Sequence, residues 1–107
     1  MDPDTFLRYY ILDGKTAVKT DVVTWARWCE SHDRQVARDV IGPYRVSTVF
    51  LGVDHSFTTD GPPLIFETMV FKDSRSIYMD RGTTWDEAEA MHARAVALVK
   101  SGAIESE

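Results

Sequence analysis

A chain of 107 residues is the size of one domain, large enough to bury its own core and too short for a catalytic domain joined to a regulatory one. Its 44% hydrophobic and 27% charged residues fall in the globular range and exclude a disordered or low-complexity tract. The net charge of -5, with twelve basic residues scattered among seventeen acidic ones, argues against binding to nucleic-acid backbone, which needs clustered Lys and Arg, and reads more simply as a soluble surface than as nucleic-acid mimicry.

The first strand-like run is Phe6 to Leu12, followed by Asp13-Gly14 and a second run from Lys15 to Lys19. Asp-Gly between two such runs is the strongest short hairpin signal. Thr20 or Asp21 then suits a helix start, and Val22, Trp25, Ala26 and Cys29 recur at helical spacing to about His32. Trp28 sits roughly 60° around that helix from Trp25, so the two rings widen the aromatic face.

Val36, Val40 and Ile41 predict a short third strand, stopped at Gly42-Pro43 because proline has no N–H for a ladder. The β-branched run from Tyr44 to Leu51 predicts the fourth strand and Leu64 to Phe71 the fifth, paired across a long polar loop. Lys72-Asp73-Ser74 is the next turn and Ser76 to Asp80 the sixth strand. Thr84-Trp85-Asp86-Glu87 reads as a capping box, and Trp85, Ala88, His92, Ala95 and Val99, flanked by Met91 and Leu98, form an apolar stripe to about Lys100 that Gly102 ends. The expectation is a single α+β domain over residues 1–107, in the order ββαββββα, with a mainly antiparallel sheet of about five to six strands carrying both helices on one face.

Cys29 is the one cysteine, which rules out an internal disulfide and any Cys-rich metal site and suits a reducing cytoplasm. No apolar run approaches the roughly 20 residues needed to span a bilayer, so neither secretion nor membrane insertion is expected.

Chemistry concentrates around the Asp54 to Pro63 loop. On the following strand Leu64, Phe66, Thr68 and Val70 share one face, while Ile65, Glu67, Met69 and Phe71 share the other, which leaves Glu67 as a carboxylate among apolar neighbours. A register symmetric about the loop sets Glu67 opposite Leu51 or Gly52, near Asp54 and His55, where it would act as an acid or base. The plainer reading gives Glu67 a structural bond to a Tyr, Trp or Arg side chain and has Asp54 order the loop through backbone N–H groups. His55 then packs at the loop edge, and His92 serves as a hydrogen-bonded histidine at the margin of the core. Gly-rich phosphate loops, nucleophile elbows, zinc helices and dinucleotide fingerprints are absent from the sequence; it calls for no cofactor and no metal.

The residues Val46-Ser47-Thr48-Val49-Phe50-Leu51-Gly52-Val53-Asp54-His55, Gly61-Pro62-Pro63 and Phe66-Glu67-Thr68-Met69-Val70-Phe71 resemble a family of small uncharacterised proteins encoded by bacteriophages and prophages. Thr24-Trp25-Ala26-Arg27-Trp28 and Thr84-Trp85-Asp86-Glu87-Ala88 are similar to that family as well. The resemblance implies a phage or prophage origin, hence the cytoplasm of a bacterial host, and brings no activity or catalytic residue with it.

Three functions remain, and binding without catalysis ranks first. In that reading the chain captures a host protein or a small signalling molecule and so blunts a host defence, with contacts from Asp54, His55, Phe57, Asp60, Glu67 and Trp28 and from exposed aromatics such as Tyr9 and Tyr10. Next is a small hydrolase using Glu67 with His55 and Asp54. The third is an assembly role, since both faces of the Leu64 to Phe71 strand are apolar and two helices leave one short of cover; a homodimer is expected.

Overall fold

The computed structural model describes residues 8–54, 56 and 61–105. Asp13-Gly14 folds β1 (Tyr9–Asp13) against β2 (Thr16–Thr20), with Gly14 at φ 63° as the tight turn requires. The side chain of Asp21 accepts from the Thr24 N–H at 2.8 Å and starts α1 (Val22–Ser31). Four strands follow as an antiparallel meander: β3 (Gln35–Ile41), β4 (Tyr44–Phe50), β5 (Phe66–Lys72) and β6 (Arg75–Gly82). The chain closes with α2 (Trp85–Ser101) and a 3-10 turn at Ala103–Glu105. The order is the expected ββαββββα, and the fold is α+β.

The six strands divide between two sheets, β1-β2 and β3-β4-β5-β6. Gly52 causes the division: at φ 76° it turns the chain out of the β4 ladder, and the segment beyond it runs antiparallel to β1. Tyr10 N–H donates to Gly52 O at 2.7 Å and Asp54 N–H to Arg8 O at 3.0 Å, which moors the hairpin to the larger sheet.

Both ends of α2 are capped as its sequence requires. Thr84 Oγ1 accepts from Glu87 N–H, the Glu87 carboxylate accepts from Thr84 N–H, both at 3.1 Å, and Gly102 takes the left-handed conformation at the far end. Its buried stripe, Ala88, Met91, His92, Ala95 and Val99, lies on one face of the four-stranded sheet. The core is in two parts. Phe50, Ile65, Phe66, Ala88 and Met91 form one, and Val46, Val70, Ala95 and Val99 the other. Between them runs a polar row, Thr48 and Thr68 from the sheet and His92 from the helix, all buried.

The first helix packs chiefly on β1 and reaches the covered face of the sheet through Trp28, whose ring meets Phe50 edge-on at 5.5 Å. Its inner face is Val22, Trp25, Trp28 and Cys29; Ala26, expected inside, is exposed, because Trp28 occupies the space toward the sheet. No helix among the described residues is long and apolar enough to cross a membrane.

Candidate functional site

Asp54 is the centre of the loop expected to hold the site. One carboxylate oxygen accepts the backbone N–H groups of Ser56 and Leu64, each at 2.9 Å, and the other pairs with the guanidinium of Arg8. Arg8 also donates to Gly61 O at 3.2 Å, so one ion pair fastens both ends of the loop to the start of β1. Burial pushes the Asp54 carboxyl up; the N–H groups of Ser56 and Leu64, the Ser56 hydroxyl and Arg8 more than offset it and hold the carboxyl below the ordinary aspartate value. A carboxylate with its oxygens engaged in this way orders backbone. His55, Phe57 and Asp60 lie outside the described residues.

Glu67 stands opposite Val49, two or three positions from the expected Leu51 or Gly52, in a register that runs unbroken from Tyr44↔Lys72 to Phe50↔Phe66. Its carboxylate accepts from Arg81 Nε at 3.1 Å, directly across on β6, on the sheet face away from α2. The two carboxylates of the hydrolase reading are therefore held in separate ion pairs. Among the described residues, no three His, Cys, Asp or Glu side chains converge to hold a metal ion.

The aromatics expected at the surface are less accessible than the sequence suggests. Tyr9 is buried against Trp25 at 5.3 Å, and Trp28 is half-buried between Phe50 and His32, whose ring stacks on it at 4.5 Å. Trp25 also donates its indole N–H to Leu51 O at 3.1 Å. These rings hold the hairpin and α1 in place.

His92 belongs to a hydroxyl–imidazole–carboxylate series: Thr48 Oγ1 lies 2.7 Å from Nδ1, and Nε2 lies 2.7 Å from the Asp39 carboxylate. The atoms are those of a nucleophilic triad, but Thr48 has no exposed surface, so no substrate reaches its hydroxyl. The series is a means of satisfying polar groups inside the core.

A site that the sequence did not announce lies where the β1-β2 hairpin faces the start of α2. There a groove of about 450 Å³ opens between Tyr10 and Ala17 on the hairpin wall and Trp85 on the helix wall, with the fully buried Ile65 and Phe66 beneath it. Lys15 places its ammonium 5.5 Å from the centre of the Trp85 ring, and Phe66 meets that ring edge-on at 6.2 Å. Trp85 Nε1 is buried and has no hydrogen-bond partner among the described residues. The Asp13-Gly14 turn and the Thr84 capping box were each legible, but nothing in their spacing says that the two element ends meet. A smaller cleft on the other side of the α2 start holds Asp80 and Arg94, already paired at 3.1 Å.

The sequence matches no family model, no curated protein and no solved structure.

Proposed function

We propose that this protein is an accessory binding protein that captures a small molecule in the groove between the β1-β2 hairpin and the start of α2. The observation that carries the reading is the groove itself: an apolar, aromatic cleft of about 450 Å³ with one cation at its mouth, of the size and lining of small-molecule sites. In the phage or prophage setting implied by the resemblance, such capture withdraws a signalling molecule from the host and blunts its defence. Catalysis has weaker support, because Asp54 is taken up by Arg8 and Glu67 by Arg81.

One observation favours self-association alongside capture. The sheet face away from α2 exposes Val40 at 66% and Met79 at 50%, with Met69 and Phe71 between them, Phe71 lying under the Arg45 guanidinium. A second copy seated there gives a homodimer.

Native mass spectrometry of the protein purified from its host, before and after denaturation, tests both. A mass increment of a few hundred daltons lost on denaturation is the expected result, carried on a dimer. Protein that arrives empty and stays empty when offered aromatic small molecules overturns the capture reading, and a monomer at all concentrations overturns the dimer.

A further inference from the structure

Building on the groove as a ligand site, we infer that its ligand is a flat aromatic molecule bearing a single anionic group, its ring against Trp85 and its anion at Lys15. Lys15 follows the tight turn at Gly14, is exposed, and forms no ion pair among the described residues. Its ammonium instead rests over the Trp85 ring, a weak contact where water has access. An arriving ring takes the indole face that the ammonium leaves, and the ammonium turns to the anion carried by that ring; one contact is exchanged for a stack and a charge-assisted bond.

The charges on the two walls fix where the anion goes and how many there are. At the start of α2 the Glu87 carboxylate already takes the Thr83 and Thr84 N–H groups, at 2.7 and 3.1 Å, so the helix end is filled by the protein itself. Asp86, also on the helix wall, repels further negative charge. The anion therefore belongs to the hairpin wall, at Lys15, and a second one is disfavoured. The volume accommodates two or three fused or linked rings.

Fluorescence titration with two probes of similar shape separates the ligand class from the site. One is 8-anilinonaphthalene-1-sulfonate, an aromatic monoanion, and the other N-phenyl-1-naphthylamine, its neutral counterpart. The expected result is binding of the sulfonate at one site per chain, weakened about tenfold by Lys15→Met and tightened about twofold by Asp86→Asn, with the neutral probe unmoved by either. Ala17→Phe, which fills the groove, abolishes binding of both probes while circular dichroism shows the fold intact. If Ala17→Phe blocks both probes but Lys15→Met changes neither, the groove is a site and the anionic class is wrong. If neither probe binds, or both bind Ala17→Phe as they bind the parent, the groove reading itself fails.

Discussion

Thr48 and Thr68 face each other on neighbouring strands with their hydroxyl oxygens 2.6 Å apart, and both side chains are fully buried. With a neutral imidazole, the direction of every bond along the row follows from its Asp39 end. The Asp39 carboxylate accepts, so Nε2 of His92 carries hydrogen; in the neutral ring Nδ1 then accepts from Thr48, and Thr48 accepts from Thr68. The expected tautomer, hydrogen on Nε2, is checked by the nitrogen chemical shifts of His92.

Thr48 has two partners in this row and Thr68 has one. Thr48→Val strands Nδ1 of a buried imidazole and is expected to destabilise by about 1–3 kcal/mol, whereas Thr68→Val removes only a donor and is expected to lose about 1 kcal/mol. Urea unfolding of the two variants and of the double variant gives the comparison, and equal losses would contradict the assigned directions.

Asp54 gives the protein an acid-sensitive fastening. Its folded-state pKa is depressed, so its contribution is fully present above the unfolded aspartate value of about 4 and is lost as pH falls through the folded value. Stability is expected to be level in this respect from pH 7 to 5 and to fall below about pH 4. Asp54→Asn should flatten that acid limb, and Asp54→Ala, which also abandons the Ser56 and Leu64 N–H groups, should lose about 2–4 kcal/mol at pH 7. Thermal melts across pH measure both.

Gly52 has no room for a methyl group. A Cβ there would stand 2.5 Å from Trp25 Nε1 and 2.6 Å from Tyr10 O, on a backbone at φ 76°. Gly52→Ala is expected to lose more than about 2 kcal/mol and to shift tryptophan fluorescence, because the indole must leave Leu51 O. Gly14→Ala, where the added carbon meets nothing, carries the φ penalty alone, about 1 kcal/mol.

Met79→Lys places a charge on the edge strand β6, on the sheet face away from α2, without touching the core. Light scattering is expected to show the dimer lost and the melting temperature of the monomer unchanged. A dimer that survives Met79→Lys together with Val40→Lys would use another surface.

What was legible in the sequence was local and periodic. The turn at Asp13-Gly14, the cap at Thr84, the stop at Gly102 and the alternation from Phe66 to Val70 each depend on neighbours within a few residues, and each stands as read. The register of Glu67 departs from the expected one because the symmetry of a loop does not fix strand pairing; the seven pairs from Tyr44↔Lys72 to Phe50↔Phe66, which bring Val46, Thr48 and Phe50 beside Val70, Thr68 and Phe66 on the buried face, fix it. Ala26 was misassigned because helical spacing gives a stripe but not its breadth. The groove was invisible because Lys15 and Trp85 lie seventy positions apart and meet only after β1 has been moored to the segment beyond Gly52.

The polar row through the core also decides where the second helix sits along the sheet. Apolar contacts are indifferent to a shift, and alanines and valines on α2 would find comparable neighbours if the helix slid by one turn, about 5.4 Å. Such a slide would take His92 away from both Thr48 and Asp39 and leave a buried imidazole without partners. The row thus acts as a vernier: the two apolar clusters hold α2 down, and the two hydrogen bonds of His92 select the one alignment in which it lies.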